Sequence, residues 1–363
     1  MEWSNKYNSF NSDKGLVYYE NYKQIVKWMD GDPYLPPPVE CNLDPIAKCN
    51  LNCYFCITQR YLKHNRREIG KMAELPENYV HDLIDFLDDW GVRGLCISGG
   101  GEPSLYPNLE LVIAHAVGTR MDVSLVTNAT KIIPSSMYCK WVALSVDSAD
   151  KETYKKVKGV DRFDDVIFNI QRLANMKRGT WARVNLCFKF LILPENCHQI
   201  YEACKLAKEL GVQHFHARPV DFERKDIKNN RKLEFDIKRI GEQFAKCHEL
   251  EDENFKVFTI THKFDQSFHV KHDFEQCLAT PLVIPILSDG NAYYCVDKKM
   301  ENKFKLGSCY PDPARILEWW GSDRHRGLVK SVNIDKCSRC TWSVYNSQVE
   351  NVVLKDSMDV SFP

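Results

Sequence analysis

Three cysteines lie close together near the start of the chain, within the stretch CNLNCYFC. Cys49, Cys53 and Cys56 are separated by three and two residues. A structural zinc ion takes four protein ligands, which this loop alone does not supply. Three thiolates can instead hold three corners of a [4Fe–4S] cluster and leave its fourth iron open to a small molecule. A zinc knuckle with a distant fourth ligand is the alternative.

A glycine-rich turn, GGGEP, follows these cysteines by one strand-and-helix unit. Residues 99–101 are all glycine, and glycine allows unusual φ angles and the close approach of another backbone. Glu102 adds an acceptor that suits an ammonium group. Such a turn is a weak signal alone, but its position after the cysteine loop makes it a candidate ligand-binding turn.

The elements that must position these residues alternate between strand-like and helix-like patterns from about residue 39 to 219. The stretch LPENYVHDLIDFLDDWG places Val80, Leu83, Ile84 and Leu87 on one helical face, and Gly91 can end that helix. After this helix the strand patterns are RGLCIS, DVSLVTN, WVALSVD, RVNLCFKFLIL and VQHFHARPV. Counted with a strand before the helix, VQHFHARPV is the sixth strand. This alternation, with short connections, predicts parallel β/α units.

Three of these strands keep one polar face, although a parallel strand buried on both sides should be apolar throughout. The pattern indicates a barrel lumen that holds a ligand. Ligands of α/β folds bind at the carboxyl ends of strands, where two of these residues, Asp147 and Arg218, are expected. The polar faces carry Ala143, Ser145 and Asp147, then Asn185, Cys187 and Lys189, and then His214, His216 and Arg218.

In CNLNCYFC and GGGEP the sequence resembles the radical S-adenosylmethionine (SAM) superfamily, with Phe55 at the aromatic position of its cysteine loop. The resemblance implies a partial (β/α)6 radical SAM barrel, a partial TIM barrel. It also implies a [4Fe–4S] cluster on the three cysteines, with SAM bound to it. The SAM contacts that it implies are Gly100, Gly101 and Glu102 at the amino group, Ser145 near the ribose, and Lys158, in a Lys-Gly pair where the family often has Arg-Gly, at the carboxylate.

A second cysteine set lies in the C-terminal part of the chain and consists of Cys277, Cys295, Cys337 and Cys340. With the stretch LGSCYPDPARILEWWGSDRHRGL it resembles the SPASM and twitch auxiliary domains. No cysteine follows Cys340, so the shorter twitch form is expected. The resemblance implies a second, fully ligated [4Fe–4S] cluster, and zinc on the same thiolates is the alternative. Cys309 is predicted to be structural, with ligation as the alternative.

The resulting division has five parts. They are an N-terminal extension at 1–38, the barrel at 39–219, a linker with a solvated helix at 220–270, the auxiliary domain at 271–345 and a tail at 346–363.

Forty-nine basic residues balance 49 acidic ones, so net charge favours neither nucleic acid nor a membrane surface. The sequence has no signal-peptide pattern and no apolar stretch of roughly 18 residues, which predicts a cytoplasmic protein.

The family resemblance also implies a reaction. An electron from the first cluster would cleave SAM to a 5′-deoxyadenosyl radical, which abstracts hydrogen from the substrate. A fully ligated second cluster suits acceptance of the second electron, so we expect an oxidoreductase that dehydrogenates a polar small molecule, such as a sugar, aminocyclitol or nucleoside. Lys189, His214, His216 and Arg218 are the predicted substrate-binding or proton-transferring residues. The expected electron donor is a flavodoxin or ferredoxin. Residues 59–71 are its candidate docking face, and a solvated loop is the alternative.

Two other functions fit parts of the pattern. One is the epimerisation or cross-linking of a ribosomal peptide, which is common among SPASM proteins. Many of those enzymes carry a leader-recognition domain, and the 48 residues before Cys49 are too few to form one there. The other is a non-catalytic iron–sulfur or zinc protein, against which the GGGEP turn speaks.

Overall fold

A computed structural model describes residues 12–56, 58, 73–220, 235–260, 272–337 and 340–354. The candidate docking face at residues 59–71 lies outside the described residues. The described part contains a mixed α/β fold around one large sheet, which is largely parallel. This confirms the predicted fold class.

Ten strands of the described residues form this sheet, in the order β10-β9-β8-β1-β2-β3-β4-β5-β6-β7. Strands β1 to β7 are each parallel to the next, β8 is parallel to β1, and β9 and β10 continue antiparallel. The strands are β1 Glu40–Asp44, β2 Gly94–Ile97, β3 Asp122–Thr127, β4 Trp141–Ser145, β5 Asn185–Ile192, β6 His214–Pro219, β7 Lys256–Thr259, β8 Val283–Leu287, β9 Asn291–Tyr293 and β10 Lys305–Ser308.

The α-helices of the described residues connect and flank these strands. They are α1 Tyr19–Met29, α2 Glu77–Trp90, α3 Leu109–Val117, α4 Lys151–Lys158, α5 Phe163–Thr180, α6 Ile200–Leu210, α7 Ile237–Glu249, α8 Ile316–Trp319, α9 Asp323–Ser331 and α10 Ser343–Gln348. Helix α2 confirms the predicted stripe, since Val80, Leu83, Ile84 and Leu87 are all fully buried. It ends at Gly91, whose φ of 101° is in the left-handed region.

The two faces of the sheet differ in polarity, as the strand patterns indicated. Phe188 and Phe190 of β5 and Phe215 of β6 are fully buried on the face that helix α6 covers. On the opposite face, Lys189 and Arg218 are only half-buried. The sheet therefore has an apolar layer under its helices and, on the opposite face, a polar surface with Lys189 and Arg218, the polar concave face; the ligand-holding lumen stays a prediction.

Residues 237–260 contain helix α7 and strand β7, and β7 belongs to the same sheet. Helix α7 buries Ile240, Phe244 and Cys247, and the Gln243 side chain bonds the start of α6 through the Ile200 amide at 2.9 Å. Strand β7 then pairs with β6 in parallel. The charged sequence here indicated a linker with a solvated helix, but the helix has an apolar side that packs on α6.

The N-terminal segment packs on the C-terminal segment. The Trp28 indole of α1 donates to the Gly321 carbonyl at 2.7 Å, and the Arg326 guanidinium of α9 donates to the Trp28 carbonyl at 2.7 Å. Strand β8 also joins β1 directly. The predicted division into five parts stays a prediction. No helix among the described residues has the length and apolar character needed to cross a membrane.

Candidate functional site

The three-cysteine loop lies at the carboxyl end of β1 and is held by backbone contacts to the end of α4. The Asn52 amide donates to the Lys158 carbonyl at 2.9 Å. Next to it, Gly159 has φ of +74°, and a Cβ there would lie 2.6 Å from the Asn52 carbonyl oxygen. Only glycine tolerates both conditions. The glycine of the Lys-Gly pair therefore has a structural role in fixing the cysteine loop.

The thiols of this loop are partly buried and face local donors. The Leu51 amide donates to the Cys49 sulfur at 3.4 Å, and the Cys56 sulfur lies 3.0 Å from the Thr58 hydroxyl oxygen. Burial raises the pKa of Cys49 to about 11 and that of Cys53 to about 12. Since metals bind the thiolate, binding of a metal here releases protons.

The glycine-rich turn lies directly against the backbone that leads into the cysteine loop. The Glu102 amide donates to the Lys48 carbonyl at 2.7 Å. A Cβ on Gly101 would overlap that same carbonyl oxygen and lie 2.8 Å from the Ile46 carbonyl oxygen. The turn and the cysteine loop thus form one unit, which only a residue without a side chain permits at position 101.

The Glu102 carboxylate is buried and already accepts three hydrogen bonds. Its Oε1 accepts from the Ser104 amide at 3.0 Å and the Thr127 hydroxyl at 2.5 Å, and its Oε2 accepts from the Asn128 amide at 2.7 Å. Burial raises its pKa, against the lowering effect of these donors. A carboxylate has about four acceptor positions, so one remains for an ammonium group.

An amide network that the sequence analysis did not identify ties the cysteine loop to the end of β3. The Asn128 side-chain amide donates to the Asn50 Oδ1 at 2.9 Å, and the Asn50 Nδ2 donates to the Thr130 hydroxyl at 2.8 Å. The only sequence signal was the polar cluster in VTNAT. Because Asn128 also donates to Glu102, the network connects all three motifs.

The predicted SAM residue Lys158 has an internal partner. Its Nζ lies 2.5 Å from the Asp147 Oδ2, and both side chains are at most 5% exposed. Burial alone would lower the Lys158 pKa, but the Asp147 carboxylate and the Cys53 thiol outweigh it and raise the pKa above its usual value. Asp147 also accepts from the Leu191 amide at 2.6 Å. This pair fixes the ends of β4 and β5, and a contact of Lys158 with SAM stays a prediction.

The polar concave face brings three of the predicted substrate residues together. Lys189 pairs in register with Ser145 on one side and with His216 on the other, and Arg218 follows two residues later on β6. His214 lies at the other end of β6, roughly 13 Å from Arg218 at 3.3 Å per residue. Burial lowers its pKa to about 4, and its ring packs on Phe258. It is therefore separated from the other three.

The four C-terminal cysteines line one cavity. Its walls are formed by Cys277, Thr280, Tyr294, Cys295, Asp297, Lys298, Phe304, Val332, Cys337 and Cys340. The Asn346 amide nitrogen lies 3.8 Å from the sulfurs of both Cys277 and Cys340. Burial raises the pKa of all four thiols, to about 11 for Cys277. Four thiols around one cavity fit a fully ligated cluster in donor number and chemistry.

Cys309 lies elsewhere. It is fully buried, and its sulfur donates to the Gly290 carbonyl at 3.2 Å. Its own carbonyl accepts from the Tyr79 hydroxyl at 2.7 Å. Its position outside the cavity favours the structural role. Among the described residues, no three His, Cys, Asp or Glu side chains converge closely enough to hold a metal ion, so ligation at either cysteine set requires side-chain adjustment.

One ion pair that the sequence analysis did not identify links the C-terminal segment to β1. The Lys299 Nζ lies 2.5 Å from the Asp44 Oδ2, with side chains 9% and 1% exposed. Asp44 also accepts from the Ser98 hydroxyl at 2.9 Å. Lys299 follows Cys295 by four residues, and Asp44 precedes Cys49 by five. Along the chain, each member of the pair therefore lies within five residues of a cysteine of one set.

Comparison with known proteins gives a family. The radical SAM superfamily model matches residues 43–219. Probable GTP 3′,8-cyclases are similar to this chain: that of Sulfurisphaera tokodaii is 27% identical over 218 residues, 57% of this chain and 65% of the relative. That of Pyrococcus abyssi is 25% identical over 150 residues, 40% of this chain and 46% of the relative. The chain thus spans about half to two thirds of the length of these curated relatives.

Solved structures are similar in fold. Streptococcus suis SuiB superimposes with a TM-score of 0.64 at 19% identity, over 86% of this chain and 72% of SuiB. The anSMEcpe structure with bound AdoMet gives a TM-score of 0.55 at 17% identity, over 86% of this chain and 85% of that one. These similarities extend beyond residues 43–219 and concern the fold alone.

Proposed function

This chain belongs to the radical SAM superfamily through residues 43–219, and from that premise we propose that it is an oxidoreductase acting on a polar small molecule. The family implies a [4Fe–4S] cluster and SAM, as the sequence predicted. We assign the cluster to Cys49, Cys53 and Cys56, and a second cluster to Cys277, Cys295, Cys337 and Cys340. When bound, the first cluster with SAM supplies a hydrogen-abstracting radical, and the second supplies an electron acceptor.

The chain's own residues bind and orient SAM and the substrate, and they shield the reacting groups from water. Glu102 keeps one acceptor position for the amino group of SAM, and Gly101 permits the turn to approach the cysteine loop. Ser145 lies half-buried on the polar concave face, beside Lys189. The gain from such an arrangement is the fixed position of the reacting groups and the exclusion of water.

The observation that carries the small-molecule proposal is the polar concave face. Lys189 and His216 pair on β5 and β6, and Arg218 lies near the carboxyl end of β6, the edge where ligands of α/β folds bind. Such a patch of donors suits a compact polar substrate. The curated relatives named probable GTP 3′,8-cyclases also carry a small polar molecule in their name, which supports the same substrate class.

The proposal is tested by product analysis on anaerobically reconstituted protein. We expect 5′-deoxyadenosine with dithionite and SAM, and a substrate product two electrons more oxidised than its precursor. Cys53→Ser should abolish 5′-deoxyadenosine, whereas Cys197→Ser, outside both cysteine sets, should not. A product at the oxidation level of its precursor, as in a cyclisation or an epimerised peptide, would remove the oxidoreductase assignment.

The radical SAM family needs a reductant, and its identity for this chain is a further part of the proposal. A flavodoxin or ferredoxin remains our proposal for it. The test adds reduced flavodoxin or reduced ferredoxin to the reconstituted protein and measures the change in cluster absorbance. If neither donor changes the spectrum, the proposal is contradicted.

A further inference from the structure

An asparagine in helix α10 lies beside two of the four C-terminal cysteines. Asn346 is fully buried, and its side-chain nitrogen Nδ2 lies 3.8 Å from the sulfur of Cys277 and 3.8 Å from the sulfur of Cys340. Cys277 precedes β8 and Cys340 precedes α10, so one amide faces thiols from two separate segments of the chain. Buried side-chain polar groups form hydrogen bonds, and here the Nδ2 group donates to sulfur.

The orientation of this amide is fixed by a hydrogen bond on its other side. The Ala279 backbone amide donates to the Asn346 Oδ1 at 2.7 Å. A backbone N–H donates to the oxygen of a side-chain amide and not to its nitrogen, so this contact distinguishes Oδ1 from Nδ2. The Asn346 backbone is held as well, because its own N–H donates to the Trp342 carbonyl at 2.8 Å. The Nδ2 group is therefore directed to the side of the two sulfurs.

The hydroxyl groups near Cys277 donate to its backbone. The Thr280 hydroxyl donates to the Cys277 carbonyl at 3.4 Å, and the Tyr294 hydroxyl donates to the same carbonyl at 3.1 Å. A hydroxyl has one hydrogen to donate, so both hydroxyls are occupied by the carbonyl. Of these three side chains, Asn346 is the one that donates to the sulfurs of Cys277 and Cys340.

A hydrogen bond to a ligand sulfur affects the reduction potential of an iron–sulfur cluster. Reduction adds an electron and places more negative charge on the sulfurs. An N–H donor stabilises that charge, and it does so more strongly in a buried place of low dielectric constant. Hydrogen bonds to the sulfurs are accordingly among the factors that set the potential. A donor to two ligand sulfurs raises the potential, which favours acceptance of an electron.

We propose that Asn346 raises the reduction potential of the C-terminal cluster by donating its Nδ2 hydrogens to the Cys277 and Cys340 thiolates. The inference rests on the proposed function, because it concerns the cluster that we assign to the four C-terminal cysteines as electron acceptor. It adds the side chain that makes this acceptance favourable. The competing explanation is a purely structural role, in which only the bond between Asn346 and Ala279 matters.

The test uses anaerobically reconstituted holoenzyme and a redox titration of both clusters, followed by electron paramagnetic resonance. The signal that changes on addition of SAM belongs to the cluster of the three-cysteine loop, and the other signal to the C-terminal cluster. We expect Asn346→Leu to lower the equilibrium constant for reduction of the C-terminal cluster at least tenfold, which is about 59 mV for a one-electron couple. The potential of the first cluster should stay at its wild-type value.

Asn351→Leu is the matched control. Asn351 is an exposed asparagine of the same C-terminal segment, and its Nδ2 donates to the Asp273 carbonyl at 3.0 Å. This contact involves the backbone and no sulfur, so the variant should keep the wild-type potential of both clusters. A merely structural effect of a lost asparagine bond would appear in both leucine variants.

Asn346→Asp is the second variant, and it replaces Asn346→Leu if that protein does not fold. It keeps an oxygen that accepts from the Ala279 amide and removes both Nδ2 hydrogens. The lost donor and the added charge both lower the potential of the C-terminal cluster. Electron–nuclear double resonance in water and in deuterium oxide separates the two causes, because wild type should show exchangeable proton couplings that Asn346→Asp lacks.

The inference is overturned if the Asn346 variants keep the wild-type potential, if Asn351→Leu lowers it equally, or if Asn346→Asp retains all the exchangeable couplings. Zinc in place of the second cluster would overturn both the inference and the electron-acceptor assignment, and metal analysis of wild type would reveal it. A substrate product at the oxidation level of its precursor would remove the oxidoreductase proposal alone, since the shift in potential caused by Asn346→Leu does not depend on the substrate.

Discussion

Individual atoms decide how closely the glycine-rich turn approaches the cysteine loop. A Cβ on Gly101 would overlap the Lys48 carbonyl oxygen, and Gly159 has no room for one beside Asn52. The backbone rather than any side chain thus brings the two motifs together. This explains why position 101 requires glycine, since even the methyl group of alanine would overlap the Lys48 carbonyl oxygen.

The first prediction concerns this contact. Gly101→Ala should lower the free energy of unfolding by roughly 1–3 kcal/mol, as overpacking of a tight site does, and should weaken SAM binding because the turn moves away from the cysteine loop. Gly241→Ala is the control: it lies inside α7 with no neighbouring atom within 4 Å, so it should be neutral or stabilise by up to about 1 kcal/mol. Urea denaturation and SAM calorimetry measure both. Equal effects of the two changes would contradict the prediction.

The second prediction separates ligand cysteines from structural ones. Cys277→Ser/Cys340→Ser should remove about four iron atoms per chain, because these thiols share the cavity that also holds Cys295 and Cys337. Iron and sulfide analysis after anaerobic reconstitution measures this. The double change Cys139→Ser/Cys309→Ser alters two buried thiols outside the cavity and should keep the iron content. Loss of iron in this control would contradict the prediction and would make Cys309 a candidate ligand again.

Elements were predicted from sequence where their periodicity was strong. Burial on one side of an element leaves a repeating pattern in the sequence. The stripe of α2 therefore predicts a helix, and the alternating faces of β4, β5 and β6 predict both the strands and the polar concave face. Contacts between distant segments leave no such pattern. Nothing in the spacing indicates that β8 pairs with β1, or that Lys299 reaches Asp44, 255 residues away.

The residues of the candidate site also divide into those that the sequence predicts and those that it does not. Its seven cysteines and the GGGEP turn follow from short motifs with fixed spacing. The Asn50–Asn128 hydrogen bond and the Asp147 partner of Lys158 depend on how β3, β4 and β5 end in space. Single polar residues at strand ends are common, so the sequence does not distinguish those that meet from those that do not.

The third prediction concerns the connection between β1 and the C-terminal segment. Lys299→Met should lower the free energy of unfolding by about 3–5 kcal/mol, because it leaves the buried Asp44 carboxylate without its cation. Adding Asp44→Asn should recover part of the loss, since the buried charge is then removed as well. Lys303→Met, four residues later and 71% exposed, should change stability by less than about 0.5 kcal/mol. Urea denaturation of wild type, Lys299→Met, Asp44→Asn and the double variant gives the coupling energy, and Lys303→Met is measured beside them as the control.

At the scale of the whole molecule, helix α1 of the N-terminal segment and helix α9 of the C-terminal segment meet around one histidine. The His325 ring of α9 lies 5.0 Å from the Trp28 ring and 4.9 Å from the Trp320 ring. Its Nδ1 accepts from the Gly321 amide at 3.2 Å, which requires an imidazole without a proton on that nitrogen. Burial lowers its pKa to about 3. The contact between the N-terminal and C-terminal segments therefore depends on a neutral ring.

The fourth prediction follows from that pKa. The folded-state value is below the unfolded value of about 6.5, so the unfolded state takes up the proton first as the pH falls. Stability is fully present above about pH 6.5 and declines toward pH 3. By pH 5 His325 alone should remove about 2 kcal/mol of the unfolding free energy.

The His325→Phe variant should show a smaller loss of stability between pH 7 and pH 5, measured by urea denaturation at each pH. His198→Gln, which removes an exposed imidazole, is the control and should keep the wild-type dependence. A His325→Phe protein with the same acid sensitivity as wild type would show that other groups control it.

The parallel pairing of β1 with β8 affects how the protein is made. During synthesis the ribosome releases Glu40–Asp44 more than two hundred residues before Val283–Leu287. Until then, the β1 edge that β8 will cover has unpaired N–H and C=O groups, next to the loop that must receive its first cofactor. Open strand edges invite association with other chains. The β1 edge of a nascent chain is thus open to such association until Val283–Leu287 has emerged.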